Sequence, residues 1–137
     1  MRLWHYKLIP YLPNSQLIAQ WRELNALASS KPKHILINYI YNYSNEYLLA
    51  YGMAIKNEMH NRWMRVNSII KFAEALGFHY RSEFNPTLHY PEHNDRYLLQ
   101  CFYNLQEKYD RGQKDFTTEI YVKLANFVKS KLRDLQI

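Results

Sequence analysis

The spacing of the apolar residues is the strongest constraint on what this chain can fold into. Pro10 and Pro13 remove backbone donors and hold the chain extended as far as Asn14. Beyond them Leu17, Trp21, Leu24 and Ala28 recur at intervals of four, three and four. That period lays one apolar stripe along a helix of about three turns, opened by Asn14 or Ser15 as a side-chain cap. The period then returns along the chain. Tyr47, Tyr51, Ile55 and Met59 follow a cap at Ser44 or Asn45, Leu48 and Leu49 widen the stripe, and Asn57, His60, Asn61 and Arg62 close it as a polar patch. Ile69, Ile70, Phe72, Ala73 and Leu76 follow Asn67 or Ser68 and stop at Gly77, where a left-handed cap is wanted. Tyr97, Leu98, Cys101, Phe102 and Leu105 follow Pro91, which suits a first helical turn, and end near Asp110-Arg111-Gly112. A last helix runs from about Phe116, capped by Asp115, through Ile120, Leu124, Phe127, Val128, Leu132 and Leu135. Ser29 to Lys33 and His79 to Tyr90 are polar loops, and Ile35 to Tyr43 fits either a short strand or a buried turn of helix.

Composition agrees with a helical reading. Only 3 Gly and 5 Pro in 137 residues leave too few corners for a turn-rich β fold. The expected architecture is all-α, a single compact domain over residues 1–137 built from four or five amphipathic helices with little or no sheet. The apolar runs are too short to span a bilayer. His5, Lys7 and Pro10 interrupt any signal core at the start, so a cytoplasmic location is expected.

Several chemistries are excluded by residue type and spacing. The single Cys101 rules out an internal disulfide and a cysteine-built zinc site, and its place on an apolar stripe marks it as a small buried hydrophobe. His89 and His93 have the four-residue spacing of paired metal ligands, but Pro91 between them breaks the helix that pairing needs. There is no Gly-rich phosphate loop and no His-Glu-x-x-His helix. No metal and no cofactor are expected.

The charge is more informative. Eighteen Lys and Arg against 12 Asp and Glu leave a net +6 and a pI near 9.4. Such an excess favours a polyanionic partner, because each phosphate contact releases condensed counterions. The 13 tyrosines add rings that can stack on exposed bases, although most serve the core. On the first helix Gln16, Ala19, Gln20, Arg22 and Glu23 fall outside the apolar stripe, and Arg22 and Glu23, about 100° apart on the wheel, are expected to border one cleft.

The run Gln16-Leu17-Ile18-Ala19-Gln20-Trp21-Arg22-Glu23-Leu24 resembles the first helix of the pyrimidine-dimer DNA glycosylases, a family of phage and bacterial enzymes. The likeness extends without gaps to Lys33-His34. Met1-Arg2-Leu3-Trp4-His5, Asn38-Tyr39-Ile40-Tyr41 and Tyr90-Pro91-Glu92-His93 with Tyr97-Leu98 are similar to the bacterial branch. The resemblance implies an all-α monomer that acts on damaged double-stranded DNA as glycosylase and AP lyase, without cofactor or metal. It implies an N-terminal amine as nucleophile, Glu23 as the carboxylate on the first helix, and Arg2, Arg22, Lys33 and His34 as contacts to DNA. An α-amino group, with a pKa of about 7.7 to 8.0, is partly an uncharged nucleophile near neutral pH. Phage members lose the initiator Met and use a small residue's amine; here Arg2 is too large for that removal, so Met1 itself takes the role. Gln16 stands where the phage enzyme has His and Ala26 where it has a DNA-contacting Arg. Two other readings stay open: a non-catalytic basic helical nucleic-acid-binding protein, and a protein-interaction module presenting Tyr-rich helices.

Overall fold

The computed structural model describes residues 1–66, 68–79 and 83–133. Among the described residues five α-helices carry the fold: α1 (Asn14–Ser30), α2 (Asn45–Asn61), α3 (Ile69–Ala75), α4 (Asp95–Asp110) and α5 (Thr118–Lys131). Two 3-10 turns, Tyr6–Tyr11 and Asn38–Asn42, precede α1 and α2, and the described residues contain no strand. The protein is all-α.

Proline and capping chemistry place the first helix, with two differences from expectation. The stretch before Pro13 is not extended throughout, because Pro10 sits inside the 3-10 turn, whose hydrogen-bond pattern tolerates the fixed φ of proline; Leu12 and Pro13 beyond it are extended. Nor do Asn14 or Ser15 cap α1 with their own side chains. The free amide of Ser15 donates instead to Asp115 Oδ2 at 2.6 Å, and the Ser15 hydroxyl donates to Asp115 Oδ1 at 2.7 Å. The carboxylate expected to open the last helix therefore closes the first one, and Thr117 caps α5 through its bond from the Ile120 amide. At its other end α1 continues through Ser29 and Ser30, whose hydroxyls bond back to the carbonyls of Asn25 and Ala26, and it stops at Lys31.

The remaining elements need smaller corrections. Ile35 to Tyr43 is neither strand nor α-helix but the second 3-10 turn. Ser68 caps α3 by accepting from the Ile70 amide, while the alternative cap Asn67 lies outside the described residues. Pro91 is not in a first helical turn; α4 starts at Asp95 behind an Asn94 cap that accepts from the Tyr97 amide at 3.0 Å. The last helix begins at Thr118 rather than Phe116, and Leu135 lies outside the described residues. Gly77 adopts φ +89°, the left-handed stop its position called for.

One apolar cluster runs from Leu3 to Val128 and takes residues from every helix. Helix α1 packs on α2 and α3, α4 packs on α5, and the first 3-10 turn packs on both α2 and α5. Gly52 lets α2 and α3 meet, since a Cβ there would run into the Phe72 ring. The consequence for function is that residues 1–12 are threaded between the helices rather than draped over them. Leu3, Trp4, His5, Leu8, Ile9 and Leu12 are all buried.

Candidate active site

Burial of the first residues would strand their backbone donors and acceptors, because no strand or helix pairs them. Side chains do so instead. The Trp4 amide donates to Gln20 Oε1 at 2.8 Å, and Gln20 Nε2 donates to the Arg2 carbonyl at 3.1 Å. Tyr51 of α2 donates to the Trp4 carbonyl at 2.7 Å, and Tyr97 of α4 donates to the Leu3 carbonyl. The Tyr6 amide donates to His93 Nδ1 at 3.2 Å. These bonds fix the path of residues 2–6 from both sides.

His93 transmits order beyond its own bond. Its Nδ1 accepts from Tyr6, so the ring proton is on Nε2 and donates to Tyr39 Oη at 2.6 Å. Burial pushes the imidazole pKa down to about 3, with the His5 and His89 charges adding to the shift. His5 Nδ1 likewise accepts, from the Lys7 amide at 3.1 Å, and burial takes its pKa down to about 4. Both rings are neutral acceptors in the fold. The folded pKa values are depressed, so the stability these rings give is present above the unfolded pKa of about 6.5 and is lost as pH falls towards 4 and 3. Chemical denaturation from pH 7 to pH 4 is expected to show roughly 2–3 kcal/mol lost per imidazole; a flat profile would contradict this account of the N-terminal anchor.

The anchored segment delivers Met1 to a cleft of ≈ 290 Å³ whose walls include Met1, Arg2, Gln16, Glu23, Asn104 and Lys108. Met1 itself is 42% exposed. Glu23 is half-buried, and burial raises its carboxyl above the usual range. The positive charges of the N-terminus, Arg22 and Lys108 oppose that rise. The carboxylate accepts from Gln20 Nε2 at 3.2 Å.

Gln20 is therefore the hub that sequence reading missed. Its oxygen accepts from the Trp4 amide and shares the single Tyr51 hydroxyl proton (2.9 Å) with the Trp4 carbonyl, and its amide donates to the Arg2 carbonyl and to Glu23. It falls outside the Leu17-Trp21-Leu24-Ala28 stripe, yet it is 1% exposed. The signal was available: Gln20 lies three residues after Leu17 and four before Leu24, inside the wide face that a packed helix buries. Gln20→Ala is expected to cost about 2–4 kcal/mol in urea denaturation, from the cavity and the unpaired Trp4 amide. A loss below the error of the measurement would show that residues 2–4 are held by other means.

The other expected site residues are distributed as follows. Arg2 lines the cleft with its guanidinium 5.9 Å from the Trp4 ring centroid and 6.0 Å from that of Tyr97. Arg22 does not share the cleft with Glu23; it is exposed on the next face of α1, beside Trp21, Met59, Met64 and Arg65. Lys33 and His34 are exposed on the loop after α1 and do not line the cleft. His34 serves that loop, its Nδ1 accepting from the Leu36 amide at 3.1 Å, and Leu36 in turn reaches the cleft wall. Asn104 and Lys108 come from α4, which no local pattern connects to α1. Cys101 is fully buried. Among the described residues no group of three or more His, Cys, Asp or Glu is placed to hold a metal ion, and no helix is long and apolar enough to cross a membrane.

These features define a class: a basic all-α protein that presents its first residue and a half-buried carboxylate to one cleft. The family follows from comparison. Residues 1–72 match the model of the family described as pyrimidine dimer DNA glycosylase, and the chain belongs to that family. Membership gives it a DNA-glycosylase type of function with DNA as substrate. No curated protein and no solved structure matches it. The matched span takes in α1 and α2 and ends within α3, so Asn104 and Lys108 complete the cleft from outside it.

Proposed function

We propose that the protein breaks a glycosidic bond at pyrimidine dimers in duplex DNA and then nicks the strand, with the α-amine of Met1 as nucleophile and Glu23 as its carboxylate partner. The observation that carries this reading is the shared cleft: Met1 and Glu23 line one pocket and the N-terminal charge is felt at the Glu23 carboxyl. The reading takes Met1 as the first residue of the mature protein with its amine free, which intact mass tests directly.

In the first step the neutral amine forms a bond to the sugar C1′, the glycosidic C1′–N bond breaks, and the base leaves with the electron pair and gains a proton. The positive charge that develops at the sugar is stabilised by the ionised Glu23. Breaking of the C1′–O4′ bond, with transfer of an amine proton to O4′, opens the ring and leaves a protonated Schiff base. Glu23 then accepts the C2′ proton, and the 3′ C–O bond breaks with the phosphate leaving, which is the lyase step. Water hydrolyses the imine and frees the amine. Lys108 and Arg2 at the cleft wall, with Arg22, Lys33 and His34 outside it, neutralise phosphates.

Incubation with a duplex carrying one cyclobutane dimer, followed by borohydride, is the test. A covalent protein–DNA adduct together with strand cleavage supports the reading. Tight, salt-dependent binding without either product would make the protein a non-catalytic DNA binder.

A further inference from the structure

The turn that closes α2 carries a side chain the fold does not need. The Trp63 amide bonds to the His60 carbonyl and the Met64 amide to the Met59 carbonyl, each at 3.0 Å. Those paired bonds form the helix stop in which the residue after the cap is left-handed and is usually glycine. Trp63 has φ +60°, a region that a Cβ makes unfavourable. Gly77 and Gly112 fill the corresponding positions after α3 and α4. Lys31 at the end of α1 also has positive φ, but there the helix dipole favours a cation. Trp63 has no such reason. It is 95% exposed, and among the described residues its ring touches no other ring.

The base of this turn is rigid. Arg62 pairs with Glu58 at 2.8 Å and donates to the Leu12 carbonyl, the Asn14 side chain and the Pro10 carbonyl at 2.6, 2.9 and 3.1 Å. Trp63 is thus held out from the surface on a fixed support. Next to it lies a groove of ≈ 390 Å³ between α1 and the end of α2, bordered by Arg22 and Arg65 with Trp21, Met59 and Met64. Both arginines are exposed, and neither forms an ion pair among the described residues. The buried Trp21 keeps its indole N–H without a hydrogen-bond partner there. An exposed indole on the turn that leads into a groove bordered by two exposed guanidinium groups suits a strand with negative phosphates and flat bases.

We infer that Trp63 stacks on a base of the bound DNA, with Arg22 and Arg65 on the phosphates beside it, and that this contact holds the duplex bent or unstacked near the lesion. The inference rests on the family's DNA substrate and not on the amine chemistry. Helix α1 lines both depressions, the groove through Trp21 and Arg22 and the Met1 cleft through Gln20 and Glu23, and a helix is about 10–12 Å across, or about three base steps of about 3.4 Å. A base displaced by Trp63 therefore falls within the same short stretch of duplex as the sugar under attack. Unstacking a step costs a few kcal/mol and is cheapest at damage, so the contact adds to lesion selectivity.

Tryptophan fluorescence isolates this residue, because Trp4 and Trp21 are only 6% and 5% exposed. Acrylamide quenching of the full-length protein is expected to fall when a dimer-containing duplex is added. Trp63→Gly is expected to weaken binding of that duplex about 5- to 150-fold, the range for loss of one stacked base. Its thermal midpoint should rise, since glycine relaxes the left-handed backbone, which separates lost binding from lost folding. Trp63→Phe should retain part of the affinity. Unchanged affinity of Trp63→Gly, or quenching that DNA leaves unaltered, would overturn the inference. So would protection of Trp63 by raised protein concentration without DNA, which would reassign the ring to self-association. Protection by DNA with no borohydride adduct would count against the amine chemistry and leave the Trp63 contact standing.

Discussion

A Glu23→Gln variant is expected to bind damaged duplex as the parent does and to cut it about 10²–10⁴-fold more slowly, the usual span for loss of a positioned acid or base. Gln keeps the shape and can still accept the bond from Gln20, so the N-terminal segment should stay in place. What it loses is the negative charge opposite the sugar and the acceptor for the C2′ proton. Single-turnover cleavage of a dimer-containing duplex, measured beside a binding isotherm, separates the two effects. Cleavage at the parental rate would remove Glu23 from the chemistry.

The same substitution has a stability signature of known sign. Burial raises the Glu23 carboxyl above the usual range, so the charged form is held less well in the fold than in the unfolded chain. Whatever stability this gives is present below the unfolded pKa and is lost as pH rises through the folded one. Glu23→Gln should therefore match the parent in acid and be slightly more stable at neutral pH, by a small margin because the group is partly exposed. A catalytic carboxylate held at some cost to the fold is expected to behave in this way.

Acetylation of the Met1 amine is expected to bring cleavage down to background. An amide nitrogen has no free electron pair to attack C1′, and it cannot form a Schiff base. The fold should survive, because the groups that anchor residues 2–6 are Gln20, Tyr51, Tyr97 and His93, none of which bonds to the amine. DNA binding should weaken only modestly through the loss of one positive charge. Adding one residue before Met1 separates chemistry from charge: it keeps an amine but moves it along the chain by about 3.5 Å. Full activity in either form would exclude the α-amine as nucleophile.

Helix existence was legible because the 3.6-residue period is a local property of the chain, and all five α-helices follow it. Partners remote in sequence were not legible. Asp115 caps Ser15 across a separation of 100 residues, and nothing near Asn14 signals that its helix will borrow a carboxylate. The site divides along the same line. Glu23 was found because its neighbours along α1 resemble a family, whereas Lys108 and Asn104 enter only through the packing of α4. Arg22 and Glu23, adjacent in sequence, face different depressions, since the wheel fixes the angle between two side chains but not what fills the space beyond each. Gln20 shows the opposite case: its buried position was implied by Leu17 and Leu24, and a polar side chain at such a position has to be paired.

The most direct measurement of the central claim is the site of the covalent bond. Borohydride-trapped adduct formed on an abasic or dimer-containing duplex, digested and sequenced by tandem mass spectrometry, should carry the sugar remnant on the α-nitrogen of Met1. The remnant found on Lys108 or any other lysine, with Met1 unmodified, would contradict it.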